Sequence, residues 1–509
     1  MSARLLSFAV FFISTTAFTQ TLLPYKNPAL PVEERVRDLL SRMTPEEKFW
    51  QLFMIPGDLD QGDSLQYKNG IFGFQVSAAA KGDAAGQLLK YGTAENAVSL
   101  AKKINAIQEY FVERTRLGIP IIAFDEALHG LVRGGATTFP QSIGLAATFD
   151  TALMHRVAGA IATEAKARGI RQILSPVINI AGDPRWGRVE ETYGEDPYLT
   201  SRMAVSFVSA FEQMGIVTTP KHFIANVGDG GRDSYPIHFN ERLLDEIYFP
   251  PFEACFMEGG SRSVMTAYNS LDGIACSANN WLLQKKLKGD WGFTGFVISD
   301  ANAVGGEVVL HHTAKNSAEA GQHAISNGLD VIFQTAYQHH KLFIAPFLNG
   351  EIDSNRINDA VARVLRAKFQ LGLFENPYTS VQEAEKWLNN DSHKYLARLS
   401  AFESIVLLKN EKNTLPFRKN IRRIAVIGED AVEARLGGYS GPGDHKVSIL
   451  DGLQHRAGDS INIVYEPGCG RRTKEWDVIA TEYLINDFNG NTSPGIRGEY
   501  MPFASFAKA

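Results

Sequence analysis

Cysteine is scarce in this chain. Three residues, Cys255, Cys276 and Cys469, are too few among 509 for disulfides to be the main source of stability, so each reads as an isolated thiol. An excess of charge of one sign is also missing. Fifty-one Lys and Arg stand against 56 Asp and Glu, a formal net charge of -5. No global basic field for nucleic acid follows from that balance, and a neutral or weakly polar ligand fits it better. Long apolar runs are absent beyond the N-terminus, where Arg4 precedes the run Leu5 to Ile13 and then small polar residues. That layout is a secretory signal peptide over residues 1–19, too short to span as a membrane helix, and it predicts a periplasmic or secreted protein. No other stretch approaches about 18 apolar residues, so no membrane span is expected. Tandem repeats are absent.

Motifs for bound metals and phosphates are lacking as well. Gly437-Gly438-Tyr439-Ser440-Gly441-Pro442-Gly443 has neither the lysine nor the strand-helix context of a phosphate loop and reads as a flexible turn. Gly228-Asp229-Gly230-Gly231-Arg232-Asp233 does not match a calcium loop and reads as a mobile segment. His311-His312 and His339-His340 are adjacent pairs, whose side chains point apart on a helix or strand. No metal or organic cofactor is expected.

What is present is a globular composition, 44% hydrophobic and 21% charged, at a length that exceeds one ordinary core. Two or more domains follow. From Pro31 to about Asn376, helix-length patterns alternate with short β-rich runs. Thr44-Pro45-Glu46-Glu47 is a helix start, with a cap, a proline at the first position and acids in the first turn. Strands are predicted at Ile71 to Val76, Pro120 to Phe124, Ile173 to Ile180, Val217 to Phe223, Ser263 to Asn269, Gly295 to Ser299 and Val331 to Phe333. Seven strand-helix units predict an α/β fold, a (β/α)8 TIM-like barrel over 31–376 with one strand weak or missing; a doubly wound open sheet is the alternative. A polar linker is expected over 377–392. A partial α/β sandwich domain follows over 393–494, with strands at Ile424 to Ile427 and Ile461 to Tyr465.

Chemistry-bearing residues recur where the predicted strands end. Phe296-Val297-Ile298 is an apolar run that stops at Ser299-Asp300. Glu126 and His129 follow the strand ending at Phe124. Lys221-His222 and Met265-Thr266-Ala267-Tyr268-Asn269 end two more. Asp183 to Pro197, which includes Trp186, Arg188, Glu190 and Glu191, is a loop dense in charge with aromatics set among the charges. In a closed parallel barrel these ends converge on one mouth, which is where barrels place their chemistry. Together they offer hydrogen-bond partners for hydroxyl groups and flat rings for a C–H face, which suits an oligosaccharide or small glycoside.

These motifs resemble glycoside hydrolase family 3, with a match running from Met43 to beyond Asn410. The resemblance implies a retaining exo-β-glycosidase with a barrel followed by an (α/β)6 sandwich domain. β-D-glucosides are the expected substrates and β-xylosides the alternative. It also implies Asp300 as the nucleophile, with Glu126, Arg188, Lys221, His222, Met265 and Tyr268 around the sugar. The chemistry needs an ionised attacking carboxylate and a second carboxyl roughly 5 Å away to protonate the leaving oxygen. Nearby cations are expected to hold the Asp300 pKa low. Two departures stand out. Many relatives follow the nucleophile with Trp, Tyr or Cys, whereas Ala301 follows here. In the family the acid/base comes from a later part of the sandwich domain, and no residue of this chain is assigned to it; Glu429, Glu433 and Glu466 read as surface carboxylates. Gly495 to Tyr500 resembles the start of a β-sandwich insert, expected over 495–509. A sugar-binding chain with little activity is the rival reading.

Overall fold

The computed structural model describes residues 22–59, 64–80, 89–91, 95–469, 484–488 and 491–494. The leader expected at 1–19 and the insert expected at 495–509 lie outside the described residues. The chain divides into two units: Met1–Asn410 together with Leu436–His445, and Glu411–Arg435 together with Lys446–Ala509.

The first unit is built on eight short parallel strands: β1 (Phe53–Pro56), β2 (Gly73–Gln75), β3 (Phe124–Asp125), β4 (Gln172–Ile173), β5 (Val217–Thr218), β6 (Ser263–Met265), β7 (Phe296–Ile298) and β8 (Ile332–Phe333). Their paired residues are buried on both faces, which is why the sequence shows apolar runs without alternation. Backbone hydrogen bonds carry the pairing all the way round. Phe72 N–H donates to Phe53 O, Ile122 to Phe72, Arg171 to Ala123, Val217 to Arg171, Met265 to Pro220, Phe296 to Arg262, Val331 to Val297 and Ile332 to Leu52, over 2.8–3.3 Å. The interior is filled by side chains from opposite sides of the ring: Phe72 packs edge-on against Phe296, and Phe124 against Phe333, each pair with centroids 5.6 Å apart. Gly73 permits the β2–β3 approach, since a Cβ there would lie 1.8 Å from the Ile122 carbonyl oxygen.

Helices cover this ring, and their starts follow the capping chemistry of the sequence. Thr44 Oγ1 accepts from Glu47 N–H at 3.2 Å while Glu47 Oε2 accepts from Thr44 N–H at 2.8 Å, a complete capping box on Pro45–Gln51. Asp150 and Asp196 cap Thr151–Ala167 and Pro197–Gln213 with their side chains, which accept the Leu153 N–H and the Tyr198 and Leu199 N–H groups.

Two expectations change. The strand missing from the sequence reading is β1, which only Leu52 separates from the helix Pro45–Gln51, so no turn residue marks the boundary between Phe49-Trp50 of the helix and the apolar strand. The segment 377–392 is no free linker. It holds the helix Val381–Lys386, whose Ala384 is buried, and the stack of Trp387 on His393. His393, on the helix Asp391–Glu403, lies 2.7 Å from the buried Glu164, so this helix belongs with the first unit.

The second unit contains β9 (Arg423–Ile427) parallel to β10 (Asn462–Glu466), in register from Arg423 with Asn462 to Ile427 with Glu466. The helix Ile449–Ala457 connects them, opened by a capping box at Ser448 and Asp451. A two-stranded antiparallel pair, Ile485–Phe488 with Asn491–Pro494, follows.

Candidate active site

Glu126, Lys221, His222, Met265, Tyr268 and Asp300 leave the barrel at the carboxyl ends of strands, and Arg188 joins them from the loop that follows β4, so the eight-strand ring gathers them at one mouth. Asp300 lies two residues past β7, at the turn that Asn302 completes in the left-handed region (φ 61°). Its side chain is almost enclosed. Oδ1 accepts the Ala301 N–H at 2.7 Å, Oδ2 lies 3.4 Å from His222 Nε2, and the Tyr268 hydroxyl donates to the carboxylate. Burial raises the Asp300 pKa, and Lys221, Arg188, the Ala301 N–H and the Tyr268 hydroxyl pull it back. The net direction is upward, which corrects the expectation of a low value: desolvation of the enclosed carboxyl outweighs the donors.

Glu126 follows β3 directly and is buried. Lys221 Nζ donates to both of its oxygens at 3.0 Å. Burial pushes the Glu126 carboxyl up to about 7, against the pull of Lys221 and with Asp300 and Asp125 adding to the rise. The neighbouring acid, Asp125, serves the scaffold instead. It accepts from Arg133 Nε at 2.6 Å, from Gln75 Nε2 at 3.1 Å and from the Glu126 N–H at 2.9 Å.

The tautomer of His222 follows from its partners. Asn179 Nδ2 donates to the carbonyls of His222 and Ala225, so Asn179 Oδ1 faces His222 and accepts from its N–H at 2.9 Å and from its Nδ1–H at 2.8 Å. Nε2 therefore carries the lone pair and accepts from Arg188 Nη2 at 3.1 Å. Burial and the adjacent Arg188 and Lys221 hold the His222 pKa well below its ordinary value, so the ring beside Asp300 is neutral.

Arg188 is fixed by Glu191, which accepts from Nε at 2.9 Å and Nη2 at 2.8 Å in a parallel fork. Asp233 lies 3.7 Å from Arg188 Nη1 and accepts from Trp186 Nε1 at 3.1 Å and Asn226 Nδ2 at 2.8 Å. These bonds tie the Gly228 to Asp233 stretch, expected to be mobile, to the charged loop. Met265 ends β6, buried and paired in register with Ile298, two residues before Asp300.

One residue in this constellation comes from a stretch read as a flexible turn. Leu436–His445 belongs to the first unit, and the ring of Tyr439 lies with its centroid 5.0 Å from Lys221 Nζ. Its phenol is within electrostatic reach of Glu126, Arg188, Glu191 and Asp300. Lys221 thus has the Glu126 carboxylate as one neighbour and an aromatic face as another. Glu191, Asn179 and Asp233 are the further residues whose part the sequence did not reveal. Asn179 is a polar side chain in an apolar strand run, and that was its only signal.

Comparison with known proteins shows the family of the chain. The model of the glycosyl hydrolase family 3 N terminal domain matches residues 46–367, and that of the glycosyl hydrolase family 3 C-terminal domain matches residues 405–494. The chain belongs to glycosyl hydrolase family 3. A β-xylosidase of Formosa agariphila is 35% identical over 415 residues, covering 75% of this chain and 57% of the relative. A periplasmic β-glucosidase of Salmonella typhimurium is 32% identical over 453 residues, covering 85% and 55%. Among solved structures, a β-glucosidase from Erythrobacter marinus superimposes with a TM-score of 0.80 at 33% identity, covering 89% of this chain and 60% of its own. The chain therefore spans little more than half the length of the family 3 relatives it matches. Its two-unit α/β architecture is that of family 3.

Proposed function

We propose that this chain acts on terminal, non-reducing β-linked sugars as a retaining exo-β-glycosidase, with β-D-glucosides as substrates and β-D-xylosides as the alternative. The observation that carries the reading is the enclosed Asp300 carboxylate, surrounded by Lys221, Arg188, neutral His222 and the Tyr268 phenol. In this reading Asp300 attacks the anomeric carbon opposite the leaving group and forms a glycosyl ester, which water then opens from the face opposite the ester, the one the leaving group left. Tyr268 and the Ala301 N–H orient the carboxylate so that one oxygen is presented for attack. Glu126, Lys221, Arg188 and His222 take the sugar hydroxyls; Glu126 accepts and the cations donate. Both sugar preferences draw support from relatives named for glucosides and for xylosides.

No acid/base residue is assigned. Among the described residues, the other carboxylates around Asp300 have partners: Glu126 has Lys221, Glu191 has Arg188, and Asp233 has Trp186 and Asn226. That favours, as a second reading, a chain that binds sugar but cleaves natural glycosides slowly. The two differ in leaving-group dependence. With 2,4-dinitrophenyl β-D-glucoside the leaving group needs no proton, and proton NMR is expected to show the β-anomer of glucose first; the α-anomer first would refute a retaining mechanism. Hydrolysis of cellobiose at a comparable rate would refute the second reading. The run Leu5 to Ile13 behind Arg4 supports export as part of this proposal, checked by N-terminal sequencing of the mature protein.

A further inference from the structure

We propose that His129 is a positioning residue for sugar binding, acting through the Leu436–His445 loop to hold the ring of Tyr439 against the pocket. This rests on the glycosidase reading of Asp300 and assigns a task to a histidine that touches none of the residues around it.

His129 is fully buried four residues past β3. Its backbone is fixed first, the carbonyl accepting the Phe139 N–H at 2.8 Å; both ring nitrogens face carbonyl oxygens, Nδ1 that of Phe139 at 2.8 Å and Nε2 that of Gly438, and the latch is the Nε2–H tautomer, which donates to Gly438. Nε2 is aimed at the loop, 3.0 Å from the Gly438 carbonyl oxygen and 3.3 Å from Ser440 Oγ. Other anchors converge on the same turn. Gln141 Nε2 donates to the Leu436 and Gly438 carbonyls at 3.0 and 3.1 Å, the Gly438 N–H donates to Glu190 Oε1 at 2.9 Å, and the Ser440 hydroxyl donates to the Leu436 carbonyl at 2.9 Å. Gly441 passes so close to Arg133 that a Cβ would meet its carbonyl oxygen at 2.8 Å.

All of these contacts flank Tyr439, which has φ 53°. A bulky residue in the left-handed region is conformationally unfavourable, so contacts outside the residue must hold it there. The Gly438 carbonyl, one residue before it, is within hydrogen-bonding distance of both His129 and Gln141. The consequence of that geometry is the placement of the Tyr439 ring beside Lys221, with its phenol in reach of Glu126, Arg188 and Asp300. An aromatic face next to fixed hydroxyl-binding charges is what a sugar ring takes up, and Ala301 gives no such face from the strand end. Releasing the latch therefore weakens binding without touching the attacking carboxylate.

The test is a double-mutant cycle on the full chain, read as the inactivation of Asp300 by 2,4-dinitrophenyl 2-deoxy-2-fluoro-β-D-glucoside. Dinitrophenolate release separates the binding constant of the inactivator from the rate of the covalent step. Tyr439→Ala is expected to weaken inactivator binding about tenfold with the covalent step little changed. His129→Ala is expected to weaken it about as much, and His129→Gln to recover part of the loss. The double variant is expected to be no weaker than Tyr439→Ala alone, because the latch has nothing to position once the ring is gone. Losses that multiply would overturn the proposal, as would His129→Ala binding like the parent, or tighter binding by Tyr439→Ala, which would mean that the ring obstructs the pocket. Where His129→Ala does not fold, Gln141→Leu carries the same cycle from the partly exposed end of the latch. A parent chain that is labelled while the losses multiply sinks only this inference; a parent chain that is never labelled sinks the glycosidase reading and this with it.

Discussion

Replacing Tyr268 by Phe tests whether its hydroxyl sets the ionisation of Asp300. Burial raises the Asp300 pKa, and the phenol is one of the groups opposing the rise, alongside Lys221, Arg188 and the Ala301 N–H at 2.7 Å. A hydrogen bond to a charged acceptor is worth about 1.5–3 kcal/mol. Its loss moves the Asp300 pKa further upward. Attack requires the ionised form, so activity is lost as pH falls through this pKa. The acid limb of the rate profile is therefore expected above the ordinary carboxylate range in the parent chain and higher still in Tyr268→Phe. The assay is the rate of dinitrophenolate release from 2,4-dinitrophenyl 2-deoxy-2-fluoro-β-D-glucoside as a function of pH, which needs no acid catalyst. On the acid side of both limbs the variant is expected to be about ten to a hundred times slower, with recovery above them. An unmoved limb with the same loss at every pH would show that Tyr268 acts on something other than Asp300.

Three other substitutions probe separate parts of the account. Asn179→Ala leaves the buried N–H and Nδ1–H of His222 without their acceptor; it is expected to destabilise the chain by about 2–4 kcal/mol in urea unfolding and to slow labelling, and a stable, fully active variant would refute the tautomer argument. Arg188→Lys keeps the charge but loses the parallel fork to Glu191; labelling is expected to drop about tenfold with little change in melting temperature, and an unchanged rate would show that the fork positions nothing. Gly73→Ala drives a methyl into the Ile122 carbonyl; circular dichroism and urea unfolding are expected to show a loss of about 3 kcal/mol or failure to fold, while parent-like unfolding would contradict the β2–β3 approach.

How far the sequence exposed this molecule depends on the scale of the signal. Strands such as Phe296–Ile298 are legible because burial on both faces makes them continuous apolar runs closed by polar residues. β1 is not, because Leu52 alone separates it from a helix whose last turn carries Phe49 and Trp50, and no turn residue marks the boundary. The site follows the same division. Asp300, Glu126, Lys221, His222 and Tyr268 sit at strand ends, where position in a barrel implies convergence. Tyr439 reaches the same place from more than 130 residues further along, through a loop whose glycines suit both a loose turn and a close approach; Gly441 shows the second, and only the fold distinguishes them. The Asp300 pKa runs against the expectation because neighbouring charges can be counted in a sequence and burial cannot. Asp125 beside Glu126 makes the point in two residues: adjacent acids, one spent on Arg133 inside the barrel and one facing Lys221.

The central claim is that Asp300 is the attacking carboxylate. Its most direct test is the intact mass of the full chain after incubation with 2,4-dinitrophenyl 2-deoxy-2-fluoro-β-D-glucoside, followed by peptide mapping. The account predicts one fluorosugar per chain, ester-linked to the peptide that carries Ser299-Asp300-Ala301, and none in Asp300→Asn. Attachment to any other residue, or an unlabelled chain that is folded, would contradict it.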